Sequence, residues 1–297
     1  MTKLAKGILP ALCTPFDSNG ELDTDLVGPL VQRLLAAGAN GFFVCGGTGE
    51  GKSMTVPERR QMASAVIHEV AGAVPNILHV GGAPTRDCVE LAKHAAEAGA
   101  DAVASVAPID QAADIETTVA HYSAIGGATD RPFYVYWHSQ FSDQAVSAEE
   151  FLDAMDAVPN FCGIKFTDYN FFKFQQMIML TEGRLNAITG PDEMCLPGLV
   201  MGSDGAIGST YNFMPRLFLA MVEDVKTGNI TSAMNRQRQA NEVITLLTRY
   251  GVLGAVKAIL GWQGVPVGPP RPPHKELSPE NEEALKTELD ALGFELE

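Results

Sequence analysis

The sequence predicts an α/β fold, a (β/α)8 TIM barrel with a C-terminal helical extension, on three observations. Short apolar runs alternate with longer amphipathic segments eight times between Gly7 and Thr227. Hydrophobicity is nearly continuous within the runs, as in parallel strands that helices cover from outside. No low-complexity segment or domain linker interrupts the alternation. A doubly wound open sheet is the rival architecture, but it usually has fewer strands and collects its ligand motifs at one crevice.

The strand candidates are, in chain order, GILPALC, GFFVC, NILHV, DAVASV, PFYVYW, FCGIKF, LNAIT and GAIGS. Each precedes a segment with helical periodicity. These segments are Asp25 to Ala37, Pro57 to Ala71, Thr85 to Ala98, Ile115 to Ile125, Ala148 to Ala157, Phe171 to Thr181, Glu193 to Met201 and Met214 to Thr227. The pattern therefore predicts eight consecutive βα units, with the active site at the C-terminal ends of the strands.

Local signals support the predicted helix ends. Thr55 and Glu58, and likewise Ser147 and Glu150, have the spacing of a capping box. The phrases AAGAN and EAGAD end two helices with a glycine before the next strand. Beyond Gly228 the pattern becomes all-helical, with segments Thr231 to Tyr250, Val252 to Leu260 and Pro279 to Leu292. We therefore predict a barrel over residues 1–228 and a helical segment packed on it over residues 229–297.

Composition excludes several classes of function. The 297 residues are 46% hydrophobic and carry 21 Lys+Arg against 36 Asp+Glu, a net charge of −15. An acidic chain without a basic stripe argues against nucleic acid and anionic membranes as partners. The N-terminus does not resemble a secretory leader, and no apolar run approaches the roughly 20 residues of a membrane span. A cytoplasmic protein with a small-molecule substrate is expected.

The cysteines and histidines give no sign of a metal site. The five cysteines (Cys13, Cys45, Cys88, Cys162 and Cys195) include no CxxC pair, which disfavours a disulfide framework and a zinc ribbon and fits a reducing cytoplasm. They are interpreted as small buried hydrophobes. The six histidines show no metal-ligand spacing, and His138 is the only one expected at the C-terminal end of a strand. We predict no metal.

The most conspicuous motif, GGTGEGKS from Gly46 to Ser53, matches the phosphate-binding loop pattern. In such loops the Lys-Ser pair opens a helix, whereas here the helix signals begin at Thr55. Lys52 and Ser53 are therefore expected in a loop, and nucleotide binding is disfavoured. Consecutive backbone N–H groups around Gly47 and Thr48 could still form a nest for a carboxylate.

Lys165 and Tyr136 are the candidate catalytic residues, because each stands near the end of an apolar strand. Burial disfavours a charged ammonium group, which makes a strand-end lysine a usable amine nucleophile toward carbonyl groups. The alternative is an ion-paired lysine. A tyrosine beside such an amine is a credible proton shuttle, and the alternative is a core aromatic. Asp192 and Glu193 are either a polyol-binding pair or the acidic first turn of a helix.

Together these features resemble the family of pyruvate-dependent class I aldolases that contains N-acetylneuraminate lyase and dihydrodipicolinate synthase. The resemblance runs from GILPALCTPFDSNGELD to GVPVGPPRPP, anchored by GFFVCGGTGE, Tyr136, GIKFTD, GPDE and GSDGAIGSTYN. It implies that Lys165 forms an imine with pyruvate, that Tyr136 shuttles protons, and that Gly47 and Thr48 bind the pyruvate carboxylate. It also implies a homotetramer and no metal or organic cofactor beyond the covalent imine.

Several features resemble the lyase branch of this family. The resemblance implies a polyol-binding set of Thr167, Gly190, Asp192, Glu193 and Ser209. Dihydrodipicolinate synthases usually carry an arginine shortly after the tyrosine, and the stretch YWHSQFSD has none. The expected reaction is cleavage of N-acetylneuraminate to pyruvate and N-acetylmannosamine. The alternatives are an aldolase for another 2-keto-3-deoxy sugar acid, a synthase like dihydrodipicolinate synthase, and a catalytically silent barrel that binds a keto acid.

The chain departs from the family pattern at three places. Gly47 stands where a serine or threonine hydroxyl is usual, so one member of the proton relay is missing. Trp137, His138 and Ser139 replace two residues and a proline after the tyrosine, and His138 is a candidate substitute in the relay. Ile109, Asp110 and Gln111 replace aromatic residues that often cross a subunit interface.

Overall fold

The computed structural model describes residues 3–109 and 114–295, and within them eight strands form one sheet in parallel pairing. The strands are β1 (Gly7–Pro10), β2 (Phe42–Val44), β3 (Asn76–His79), β4 (Ala102–Ser105), β5 (Phe133–His138), β6 (Phe161–Thr167), β7 (Asn186–Thr189) and β8 (Gly205–Gly208). Their order is β1-β8-β7-β6-β5-β4-β3-β2. A parallel bridge between Ala11 and Phe43 joins the two edges, so the sheet nearly closes and the predicted TIM barrel is confirmed.

Helices follow the strands in regular alternation. They are α1 (Val27–Ala36), α2 (Val56–Val70), α3 (Thr85–Ala98), α4 (Ile115–Gly126), α5 (Ala148–Met155), α6 (Phe171–Leu180), α7 (Cys195–Val200), α8 (Pro215–Lys226), α9 (Ile230–Tyr250), α10 (Val252–Trp262) and α11 (Pro279–Ala291). Most predicted ends differ from these by one or two residues. The predicted starts at Asp25 and Glu193 instead fall in 3-10 turns that precede α1 and α7. Both predicted capping boxes are present with reciprocal hydrogen bonds.

Two hydrophobic layers follow from the alternation of side chains along each strand. Leu9, Phe43 and Ile207 point into the barrel, where they pack with the other inward residues. Their chain neighbours Ile8 and Phe42 pack outward in the larger layer between sheet and helices. Four cysteines are buried as expected, Cys162 is half-buried, and all five are free.

The C-terminal helices bring residues distant in sequence to the mouth of the barrel. Helix α9 packs on α8, and α10 follows it after a bend of 113°. In the described residues no single helix is long and apolar enough to cross a membrane, although α9 and α10 pass that test as a bent pair. The division into domains at residue 228 stays a prediction.

Candidate active site

Lys165 lies in β6 near the C-terminal end of the barrel, with only 4% of its surface exposed. Its Nζ is 4.1 Å from the centroid of the Tyr136 ring and 4.2 Å from that of the Phe43 ring. The sheet register pairs Tyr136 with Lys165 on adjoining strands, which puts the two side chains in one layer inside the barrel. No carboxylate pairs with Lys165 among the described residues, so the structure does not support the ion-pair alternative.

Tyr136 is 8% exposed and is surrounded by other rings. The rings of Phe43, His79 and His138 each lie 5.6 Å from it, close to edge-on. Its hydroxyl makes no hydrogen bond within the described part of the chain, and Tyr136 lines a cavity at the barrel mouth. Tyr136 therefore packs like a core aromatic yet faces open space beside the Lys165 amine.

Residues 45–53 after β2 form a turn that is closed by hydrogen bonds to its own carbonyls, and we call it the keto-acid turn after the role expected from the sequence. Glu50 N–H donates to Gly47 C=O and Gly51 N–H to Gly46 C=O, each at 3.0 Å. The N–H groups of Gly47 and Thr48 donate to no described residue, which leaves them free for an anion. Lys52 lies in a 3-10 turn from Gly51 to Ser53, and α2 begins only at Val56. A lysine so placed does not open a helix, which argues against a phosphate-binding loop.

A second cavity, of about 340 Å³, holds the predicted polyol-binding residues. Its lining includes His138, Thr167, Gly190, Asp192, Glu193 and Ser209. The Oγ1 of Thr167 is buried without a described partner, and a Cβ at Gly190 would lie only 2.0 Å from it. Glycine at position 190 therefore leaves room for the Thr167 hydroxyl. Ser209 Oγ is 2.6 Å from Thr48 Oγ1, which links this cavity to the keto-acid turn.

Asp192 and Glu193 lie in the acidic turn, a 3-10 turn from Asp192 to Met194 ahead of α7. This turn runs directly into α7, which begins at Cys195, so a polyol-binding pair and an acidic start to a helix both stay open as interpretations. Asp192 Oδ2 accepts hydrogen bonds from the backbone N–H and the hydroxyl of Thr210, at 2.7 and 2.6 Å. Burial raises the pKa of Asp192 to about 6. Glu193 accepts a hydrogen bond from the Tyr169 hydroxyl.

His138 lies between the two cavities and lines both. Burial, with the nearby charges of Lys165 and Lys52, lowers its pKa to about 4. Its Nδ1 accepts from the Gln140 N–H at 3.2 Å, so the neutral ring carries its proton on Nε2. His138 can therefore donate a hydrogen bond at neutral pH.

The sequence interpretation missed several residues at this site. His138 is not the only histidine at a strand end, because β3 ends at His79, which is 6% exposed and lines the first cavity. The strand-end argument applied to NILHV would have found it. For Phe43 and Tyr169, no comparable sequence pattern predicts a position at this site. Of the residues replacing the family's aromatics, Ile109 is exposed, and Asp110 and Gln111 lie outside the described residues.

The C-terminal helices hold both turns. Lys257 of α10 pairs with Glu50 of the keto-acid turn at 2.7 Å, and both side chains are almost completely buried. In α9, Gln237 accepts the Leu196 N–H at 2.8 Å and donates to the Asp192 carbonyl at 3.1 Å. Local sequence gives no sign of these contacts, since the partners are separated by about 40 residues or more.

Comparisons with known proteins agree with this geometry. The chain matches the Dihydrodipicolinate synthetase family over residues 4–292. It is 34% identical to the N-acetylneuraminate lyase of Rhizobium meliloti over 95% of this chain and 93% of that protein. The solved N-acetylneuraminate lyase of Proteus mirabilis superposes with a TM-score of 0.93 at 28% identity, covering 98% of this chain and 99% of the other.

A third relative is a structure of the Ruminococcus gnavus sialic acid aldolase with its catalytic lysine mutated. It superposes with a TM-score of 0.92 at 29% identity, over 97% of this chain and 95% of that one. The barrel and the buried lysine agree with these matches. The chain therefore belongs to the dihydrodipicolinate synthetase family and is a carbon–carbon lyase.

Proposed function

We propose that the protein is a Schiff-base class I aldolase that cleaves N-acetylneuraminate to pyruvate and N-acetylmannosamine. The observation that carries the proposal is the Lys165 amine, buried between two aromatic rings at the barrel mouth and paired with no described carboxylate. A lysine amine in such a position can attack the carbonyl carbon of a bound keto acid, which is the first step of imine formation. The sialic acid aldolase of Ruminococcus gnavus has a catalytic lysine, which supports the same role here.

In the proposed reaction, the Lys165 amine attacks the 2-keto carbon of the open-chain sugar acid. Loss of water from the resulting carbinolamine gives an iminium ion, which serves as the electron sink. Tyr136 accepts the proton of the C4 hydroxyl as the C3–C4 bond breaks, which releases N-acetylmannosamine and leaves a pyruvate enamine. A proton returned to C3 regenerates the iminium ion, and water then releases pyruvate and the free amine.

The remaining residues take binding roles in this proposal. The Gly47 and Thr48 N–H groups bind the substrate carboxylate at the keto-acid turn. The polyol chain extends into the second cavity, where Thr167, Asp192, Glu193 and Ser209 meet its hydroxyls and Gly190 provides space. His138, between the cavities, donates a hydrogen bond in the proton relay. Neither a metal nor an organic cofactor is needed.

We also expect a cytoplasmic homotetramer. Five free cysteines fit a reducing compartment. A protein that sediments only as a monomer at micromolar concentration would contradict the expected assembly.

Trapping with borohydride tests the imine. Reduction in the presence of pyruvate should add a reduced pyruvyl mass to Lys165, located by peptide mass spectrometry. Lys165→Arg should keep the fold and lose both the label and turnover, because a guanidinium cannot form the imine. Lys93→Arg, an exposed lysine of α3, is the matched control and should label like the wild type. Label at another lysine, or none, would refute the aldolase mechanism.

The substrate is tested by comparing pyruvate release from N-acetylneuraminate and from 2-keto-3-deoxygluconate. The nine-carbon acid should be preferred, since only a long polyol reaches all the polar groups of the second cavity. Glu193→Ala should depress its cleavage far more than it depresses imine formation with pyruvate. Preference for the six-carbon acid would favour another sugar-acid aldolase.

Gly47, which lacks a hydroxyl, is the observation that favours a catalytically silent keto-acid-binding barrel instead. A labelled Lys165 without turnover of any sugar acid or aldehyde would support that second candidate.

A further inference from the structure

The first cavity of the barrel mouth has a volume of about 280 Å³ and lies between the keto-acid turn and the end of β5. Gly47, Tyr136 and His138 line it together with Lys52, His79 and Phe141. Because His138 also lines the second cavity, of about 340 Å³, the two spaces lie on either side of that residue. We call the smaller space the Lys52 cavity.

Lys52 gives this cavity an uncompensated positive charge. Its Nζ lies 3.9 Å from the centroid of the Phe141 ring, and no carboxylate pairs with it among the residues described. Partial burial lowers the pKa of Lys52. Glu50 is the one carboxylate among the described residues that line the cavity, and it already pairs with Lys257 at 2.7 Å and accepts the Arg271 N–H at 2.7 Å.

His79 provides a second polar feature of the same cavity. Its Nδ1 lies 3.2 Å from the Cys45 carbonyl, so Nδ1 carries the proton and Nε2 is an acceptor. Burial, with the charge of Arg59, holds the pKa of His79 well below its usual range, which keeps the ring neutral. Nε2 is buried without a described partner. His79 therefore adds no charge to the wall of this cavity.

Gly47 opens the keto-acid turn toward this space. A Cβ built at Gly47 meets no atom within 4 Å, and its backbone is not in the left-handed region. A side chain would therefore fit there, and its absence leaves Gly47 on the wall of a space that Lys52 also lines.

We propose that Lys52 is a carboxylate-binding residue of the active site, whose charge replaces the contact that a hydroxyl at position 47 would make with the keto acid. The inference rests on the proposed function, because it takes the Gly47 and Thr48 N–H groups as the carboxylate site. The carboxylate at C1 of the keto acid then lies between these N–H groups and the Lys52 ammonium, while the polyol extends to the other side of His138.

The test measures how borohydride labelling of Lys165 depends on pyruvate concentration. Lys52→Gln should raise the half-saturating concentration about tenfold, because a charge-assisted hydrogen bond to the carboxylate is lost. Lys52→Arg should stay within about threefold of the wild type. Adding Gly47→Ser to Lys52→Gln should recover part of the loss, since the serine has room and supplies a neutral donor.

Two controls separate binding from other effects. Lys93→Gln removes one exposed positive charge elsewhere and should leave the half-saturating concentration unchanged. Methyl pyruvate, which has the ketone but no free carboxylate, should label wild type and Lys52→Gln alike. Thermal unfolding of each variant checks the fold.

The outcomes also separate this inference from the proposed function. If the wild type labels Lys165 and Lys52→Gln has the same pyruvate dependence, the Lys52 role is refuted and the aldolase stands. An equal loss with pyruvate and methyl pyruvate would mean a structural role and would refute it as well. Absence of any label on wild-type Lys165 would overturn both proposals.

Discussion

The keto-acid turn and the acidic turn are both held by C-terminal helices, but by different interactions. Helix α10 holds the first through the ion pair of Glu50 and Lys257, whose side chains are 0% and 2% exposed. Helix α9 holds the second through neutral amide hydrogen bonds from Gln237 and Asn241. A buried charge without its partner costs more stability than the loss of a neutral hydrogen bond. The keto-acid turn should therefore be the more sensitive to substitution.

Glu50→Gln should give the largest effect, a loss of about 3–5 kcal/mol in the free energy of unfolding, because it leaves the Lys257 ammonium buried and unpaired. The Lys257 Nζ would retain only neutral acceptors, namely the new amide oxygen and the carbonyls of Thr14 and Pro269, which lie 2.9 and 3.1 Å away. Equilibrium urea denaturation measures the change. The double variant Glu50→Gln/Lys257→Met should lose less than the sum of the single variants. A loss below about 1 kcal/mol for Glu50→Gln would contradict the contrast between the turns.

The stability contributed by the acidic turn should instead depend on pH, through the titration of Asp192. Burial raises the pKa of this carboxyl to about 6, above its value of about 3.9 in an unfolded chain. Its protonated form favours the folded state, so its contribution to stability is complete below about pH 4 and is lost as pH rises through 6.

Asp192→Asn keeps an oxygen that can accept from Thr210 but removes the titration. Relative to the wild type, this variant should gain up to about 3 kcal/mol in the free energy of unfolding between pH 4 and pH 7. Urea denaturation at several pH values measures the difference. A difference that is independent of pH would show that Asp192 does not titrate in this range.

Gln237→Ala should have the smallest effect, about 1–2 kcal/mol, because it removes neutral hydrogen bonds to the Leu196 N–H and the Asp192 carbonyl. Gln239→Ala, an exposed position on the same helix, is the matched control and should change stability by less than about 0.5 kcal/mol. Urea denaturation compares the two variants. A cost equal to that of Glu50→Gln would remove the distinction between the two turns.

Much of the fold was predictable because its signals are local. The apolar run FCGIKF placed Lys165 near a strand end, and β6 extends one residue further, to Thr167. The capping pair Thr55 and Glu58 placed the start of α2 and thereby separated Lys52 from that helix. Such signals depend on residues three or four positions apart, whose geometry any helix imposes.

The contacts that shape the site could not be predicted in this way. Phe43 contacts Lys165 only because β2 and β6 face each other across the barrel. Whether the Nε2 of His79 has a hydrogen-bond partner is likewise decided by the residues that pack around it in the fold. The position of His79 at the end of β3 is a different case, because the apolar run NILHV would have predicted it from the sequence.

By itself, the sequence determined the order of strands and helices, the residues at strand ends, and the family resemblance, because periodicity and capping act over short distances. Only the tertiary structure decided which of those residues share a cavity and which charges are paired. It joined Glu50 to Lys257 of α10, and it left Lys165 and Lys52 without described carboxylate partners. The physical reason is that the closed barrel and the helices packed on it bring together residues more than 100 positions apart. Burial then strengthens the interaction between charges, so the presence or absence of an ion pair has a large effect on stability.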